Sequence, residues 1–145
     1  MSDGAGIALL ASREAAEKHN LPVLARFVDF IVVGCDPSIM GIGPAVAIPA
    51  LLKKTGLSLD DIGVFELNEA FASQATYCVE KLGLDMNKVN PNGGAIALGH
   101  PLGATGAIQL AKLIPELQRR NERFGIISMC IGTGMGAAAL IEIPL

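Results

Sequence analysis

The run from Phe124 to Ile141 sets the narrowest limit on how this chain folds: eighteen residues without a single charge. Burial is the only low-energy place for so much apolar surface. Eighteen residues is also the lower edge of a membrane-spanning helix. Gly132, Gly134 and Gly136, with Thr133 among them, divide the run, and each glycine weakens a helix interior by about 1 kcal/mol relative to alanine. Two strands joined by a tight turn satisfy the pattern better, over about 125–130 and 137–143. A connection that short makes a hairpin, so the last strand is expected antiparallel to its neighbour. No membrane span is expected.

Strand and helix signals alternate through the rest of the chain, which points to an α/β architecture. Residues 7–10 read as a central strand. Ser12 is a good N-cap and Glu14 suits the positive start of a helix to about Asn20. Residues 21–34, rich in Val, Ile and Phe, predict a strand. The loop "MGIGP" leads into a helix with Pro44 at its first position and Gly56 as its stop; Pro49 predicts a kink or a division. Ser58 and Asp61 pair as caps of one turn, residues 64–67 form a short strand, and Asn68 is placed as the cap of the next helix. In that helix Phe71, Ala75, Cys78, Val79 and Leu82 share one face, which makes Cys78 a core residue. Ala107, Leu110, Ala111, Ile114 and Leu117 mark the buried face of a long later helix, with Pro115 bending its end.

The 145 residues suit one domain, 1–145, with 51% hydrophobic and 17% charged residues, a globular balance. A net charge of −3 leaves no electrostatic footprint for nucleic acid or anionic lipid. Three cysteines at wide, irregular spacing fit neither a zinc site nor a disulfide framework, so no metal is expected and a reducing compartment fits best. Residues 1–10 lack the basic n-region of a secretory signal. The apolar run at 7–10 has no strand before it to pair with. That reads as a piece of something longer, with Met1 an internal start.

Chemistry concentrates in three places. In "SMCIGTGMG" Cys130 stands at the mouth of a glycine turn, either a reactive thiol or a small buried hydrophobe at a strand end. His100 lies in "LGHPLG", fixed by Pro101 and flanked by glycines. That setting suits a general base, or a histidine satisfied by turn carbonyls. Asn68, in "ELNEAF", is either an N-cap or an amide able to hold a water or an oxyanion; Glu66 and Glu69 flank it with no spacing that demands a role. The glycine stretches are not phosphate loops: "GHPLGATG" has no lysine after its glycines, and "GTGMGA" leads into a strand.

These motifs, Asn68-Glu69-Ala70-Phe71, Gly99-His100-Pro101 and Cys130-Ile131-Gly132, stand in order around "NPNGGAIALGHPLGATGA". Together they resemble the carboxyl-terminal half of a thiolase, over nearly the whole chain. "MGIGPAVAIP" and "CIGTGMGAAA" are similar to the peroxisomal 3-ketoacyl-CoA thiolases. The resemblance implies one half of a thiolase-like fold: a mixed five-stranded sheet with helices on both faces and its last strand antiparallel. It also implies thiolytic cleavage of 3-ketoacyl-CoA to acetyl-CoA and a shortened acyl-CoA, with coenzyme A as substrate and no cofactor. A nucleophilic cysteine in an amino-terminal half, matched by none of the three here, takes the acyl group after activation by His100. Cys130 moves the proton on the acetyl-CoA carbon. Asn68, through a water, and His100 hold the enolate oxygen, and the Gly132 N–H helps hold the thioester oxygen. Met40 and Phe71 match positions along the acyl and pantetheine path. Further implications are a homodimer of the full-length protein, a peroxisomal location (mitochondrial or cytoplasmic as alternatives) and an apolar face left uncovered without the other half. The other reading is a truncated, non-catalytic domain that binds acyl-CoA or a thiolase subunit. A β-ketoacyl synthase shares the fold but calls for a different histidine pattern.

Overall fold

The computed structural model describes residues 2–144. Four strands form one mixed sheet: β1 (Arg26–Gly34), β2 (Ile62–Leu67), β3 (Phe124–Ile131) and β4 (Met135–Glu142). Their order is β1-β4-β3-β2, with β4 antiparallel to both neighbours and β2 parallel to β3. The glycine-divided run is thus the β3–β4 hairpin, as its lack of charge requires.

Five strands were expected and four are present. What stands on the outer edge of β2 is a single parallel bridge between Phe65 and Val89. The chain pairs once and then turns away at Asn90, whose φ is +45°. Its side chain continues the ladder instead: Oδ1 accepts from Leu67 N–H at 2.9 Å and Nδ2 donates to Leu67 O at 2.8 Å. The strand that does not form is the one expected at 7–10. Ile7 is 98% exposed and Leu9 81%, and the segment pairs with no described strand. It lies beside the later helix, where a Cβ on Gly6 would come within 2.6 Å of Ala107 Cβ.

The helices cover both faces. α1 (Arg13–Lys18) is capped as expected, with Ser12 Oγ accepting from Ala15 N–H at 3.2 Å. The 3₁₀ helix Pro37–Ile42 occupies most of the expected loop and leads directly into α2 (Gly43–Thr55). α2 runs through Pro49 undivided and ends at Gly56 with φ +73°. It packs with α3 (Ala72–Leu82) on one sheet face, around Ile48, Leu51, Phe65, Ile126 and Leu140. α5 (Thr105–Arg120) packs on the other face with Val64, Ile127, Ala139 and Ile141. α5 does not reach β1. Phe27, Phe30 and Val32, paired with Ile141, Ala139 and Ala137 and so on that same face, are 50%, 48% and 46% exposed.

The expected helix faces hold for Cys78, Val79 and Leu82 on α3 and for Leu110, Ile114 and Leu117 on α5, with polar side chains that have buried partners added to them. On α3 the buried residues are Gln74 and Cys78, while Phe71, the residue before the helix, is 55% exposed. On α5 they are Thr105, Gln109, Leu113, Glu116 and Leu117, while Ala111 faces solvent. Glu116 accepts from Arg119, Arg120 and Asn92. These bonds, chiefly that from Arg119, hold its carboxyl down from 4.5 to about 2. A depressed carboxylate stabilises the fold above its unfolded pKa, and that stability is lost as pH falls. Unfolding midpoints are therefore expected to drop between pH 4.5 and about 2. Glu116→Gln should flatten the drop in a pH series of urea titrations.

Candidate active site

The site begins where β2 ends. Asn68, expected as a helix cap, is not one: α3 starts four residues later, and its N-cap is Phe71, whose N–H donates to Gln74 Oε1 at 3.4 Å. Asn68 is instead clamped by its backbone. Its N–H donates to Ser128 O on β3 at 2.9 Å, and its carbonyl accepts from Gln74 Nε2 at 3.1 Å. The side-chain amide is thereby left free for chemistry, on a residue only 4% exposed.

That amide reaches His100. Asn68 Nδ2 lies 3.3 Å from His100 Nε2, and His100 Nδ1 lies 2.7 Å from Thr105 Oγ1. Thr105 Oγ1 donates its own hydrogen to Pro101 O at 3.0 Å, so the hydroxyl oxygen accepts from the ring. The network thus puts the ring proton on Nδ1 and leaves Nε2 with its lone pair, accepting from Asn68. Nε2 is thereby the ring nitrogen able to accept a further proton.

The glycine-rich stretch that carries His100 is fastened at several points. Asn90 Nδ2 donates to Glu69 Oε1, Ile96 N–H donates to Glu69 Oε2, and Lys112 Nζ donates to Gly93 O. A Cβ on Gly94 would occupy the space of the Glu69 carboxylate. Glu66, buried at 1%, pairs with Lys112. Neither glutamate is left over for catalysis; both hold the loop. α4 (Ala95–Leu98), a single turn, then delivers the chain to Gly99, whose φ is +91°.

Cys130 lies two residues beyond Ser128, near the end of β3, and is half-buried. Burial, with a smaller push from Cys35, raises its thiol above the ordinary cysteine value. It therefore stays protonated at neutral pH, which suits a proton carrier rather than a resting nucleophile. Cys78 is fully buried and also raised, chiefly by burial.

The glycines after Cys130 separate into two kinds. Gly134 has φ +96° and a Cβ there would meet Cys35 O at 2.6 Å; one on Gly136 would meet Gly43 Cα at 2.6 Å. Both are required by the fold. Gly132 is different: a Cβ would meet nothing within 4 Å, and its φ lies outside the left-handed region. The turn also holds Thr133 at φ +72°, a costly conformation for a β-branched residue and one found mainly at functional sites.

Met40 and Phe71 line one groove of about 380 Å³ with Ile39, Gln74 and Tyr77. Gln74 connects that groove to the site, because its amide holds Asn68. Of the six residues singled out from sequence, Asn68 and His100 are in direct contact, Met40 and Phe71 share the groove, and Cys130 and Gly132 stand together at the β3–β4 turn. Thr105, Gln74 and Gln109 went unrecognised. A hydroxyl at the start of the helix after His100 was the available sign for Thr105; polar residues within apolar helices gave none for the other two. Among the described residues no group of three or more His, Cys, Asp and Glu is placed to hold a metal ion. No described helix is long and apolar enough to cross a membrane.

Residues 21–143 match the family model for the thiolase C-terminal domain. Rat peroxisomal 3-ketoacyl-CoA thiolase B is 63% identical over 99% of this chain and 34% of its own length. The peroxisomal 3-ketoacyl-CoA thiolase of Saccharomyces cerevisiae is 61% identical over 97% of the chain and 33% of its own. The chain thus spans about a third of the length of these relatives. Among solved structures, the dimeric peroxisomal thiolase of S. cerevisiae superposes with a TM-score of 0.86 at 59% identity, over 91% of this chain and 33% of that one. Human mitochondrial 3-ketoacyl-CoA thiolase in complex with CoA gives 0.90 at 52% identity, over 93% and 34%.

Proposed function

The chain belongs to the thiolase family through its carboxyl-terminal domain, and from that premise we propose that it supplies the base, proton-carrier and oxyanion residues of a 3-ketoacyl-CoA thiolase. The reaction cleaves 3-ketoacyl-CoA with coenzyme A to acetyl-CoA and an acyl-CoA two carbons shorter, as in fatty acid β-oxidation. Coenzyme A is a substrate, and no cofactor is needed. An amino-terminal thiolase half, in the same polypeptide or a second one, contributes the nucleophilic cysteine. The working protein is a homodimer, like the yeast relative. Its compartment is the peroxisome, since relatives named for it reach 63% identity.

The observation that carries this reading is the Asn68–His100–Thr105 chain of hydrogen bonds. His100 Nε2 takes the proton of the nucleophilic thiol, and the thiolate adds to the 3-keto carbon. When the bond between C2 and C3 breaks, its electron pair becomes the enolate of acetyl-CoA, and the Cys130 S–H delivers a proton to C2. Once protonated, Nε2 turns from acceptor to donor, so it and the Asn68 amide, through a water, hold the enolate oxygen together. The coenzyme A thiol then gives its proton to the Cys130 thiolate and takes the acyl group as its thioester, and the departing nucleophilic cysteine recovers a proton from His100. The open space beside Gly132 suits a thioester oxygen at its N–H. No neighbour in this chain uses that space, which supports its being kept for a ligand. Met40 and Phe71 border the acyl and pantetheine path.

Thiolysis of acetoacetyl-CoA and of a longer 3-ketoacyl-CoA tests the proposal. The chain alone is expected to give little or no turnover, and activity should appear when it is combined with a separately expressed amino-terminal thiolase half. Failure to form a complex, with activity still absent, would count against the half-site reading. Binding of acyl-CoA without turnover in the complex would favour a non-catalytic domain.

A further inference from the structure

Two buried oxygens behind the proposed catalytic pair have no hydrogen-bond partner among the described residues: Glu66 Oε1 and Gln109 Oε1. Both residues are nearly inaccessible, at 1% and 4%. The other polar atoms of both side chains are committed. Glu66 Oε2 accepts from Lys112, and Gln109 Nε2 donates to Glu66 O at 2.8 Å and to Ser128 O at 3.0 Å. Turning the Gln109 amide over would set its oxygen against two carbonyls, so its orientation is fixed. An orphaned buried acceptor is destabilising, and one donor placed between the two would satisfy both.

Glu66 and Gln109 line one small cavity with Asn68 and Thr105, between the end of β2, α4 and the first turns of α5. Its space for the centre of a water-sized sphere is about 20 Å³, and one water needs about 10–15 Å³. Asn68 and Thr105 are the partners of the two ring nitrogens of His100. We propose that this cavity is a built site for one water molecule, which donates its two hydrogens to Glu66 Oε1 and Gln109 Oε1 and makes Glu66 and Gln109 positioning residues for His100. A water has the two donors that the pair of acceptors lacks. With it in place, Gln109 holds the carbonyls of Glu66 and Ser128, and Ser128 O in turn holds Asn68. The charged groups acting on Glu66 are Lys112 and, more weakly, Glu69 and Glu116. The positioning role rests on the reading of His100 as the base; the water site does not.

Both halves of the proposal are testable on this chain without activity. A crystal structure with ordered solvent is expected to place one water within hydrogen-bonding distance of both oxygens. A direct bond between the two oxygens through a carboxylic proton, or a cavity without solvent density, would overturn the site. For positioning, the ring ¹⁵N signals report where each imidazole carries its proton, and the chain has only two histidines. His100 is expected to show the Nδ1–H form, and Glu66→Gln to raise the share of the Nε2–H form severalfold while His19 is unchanged. If Glu66→Gln does not fold, Gln109→Met leaves the Glu66–Lys112 pair intact and gives the same readout. Unaltered His100 signals in a folded variant would refute the positioning role even if thiolysis is confirmed.

Discussion

His100→Ala, in the chain combined with an amino-terminal thiolase half, is expected to lower the kcat of thiolysis by about 10²–10⁴-fold, the usual contribution of a positioned general base. KM should change much less, because the groove at Met40 and Phe71 is untouched. The variant should stay folded, since a half-exposed loop imidazole with two hydrogen bonds contributes little to the core. Cys130→Ser gives an independent check. The hydroxyl nearly matches the thiol in shape but is a far weaker acid, so the proton on the acetyl-CoA carbon should move slowly. Robust turnover in both variants would remove both residues from the mechanism.

Gly136→Ala is expected to cost about 3 kcal/mol or more of stability, among the largest losses a single methyl group causes. The added carbon would sit within 2.6 Å of Gly43 Cα and closer still to the Gly43 carbonyl. Backbone cannot rotate out of the way as a side chain can. The contact joins the start of α2 to β4 just past the Cys130 turn, so the clash strikes fold and site together. Gly132→Ala is its counterpart, since its Cβ meets nothing within 4 Å. Its stability should stay within about 0.5 kcal/mol of the parent, while thiolysis falls because the methyl group enters the space assigned to the thioester oxygen. Denaturant midpoints and steady-state rates of the two variants separate the glycine that packs from the glycine that binds. Equal stability losses for both would contradict that division.

Legibility in the sequence differs from element to element. The β3–β4 hairpin was legible because an uncharged run broken by glycines has few other solutions. The Ser12 cap, the Gly56 stop and the Ser58–Asp61 pair were legible because each depends on residues within a few positions of one another. The strand expected at 7–10 failed because an apolar run states only that it wants burial, and a strand exists only where an edge accepts it. Beyond β2 the sheet stops at one bridge because Asn90 turns the backbone away and substitutes its side chain. The helix faces were legible in their apolar members but not in Gln109 and Glu116, polar residues whose partners lie far along the chain.

The candidate site divides along the same line. Residue types and local settings singled out Asn68, His100 and Cys130, because a glycine-flanked histidine, an amide after a strand and a thiol before a glycine turn are local patterns. Only the tertiary structure decided what each is free to do. Asn68 is released from capping because Ser128 and Gln74 hold its backbone. His100 presents Nε2 as an acceptor because Thr105, anchored to Pro101, accepts the hydrogen bond from Nδ1–H. Gly132 is set apart from Gly134 and Gly136 because a glycine's reason is the space around it. Sequence determines what chemistry is available and where the chain must turn. Hydrogen bonds and clearances between residues distant in the chain decide which atoms are left unoccupied, and those unoccupied atoms form the site.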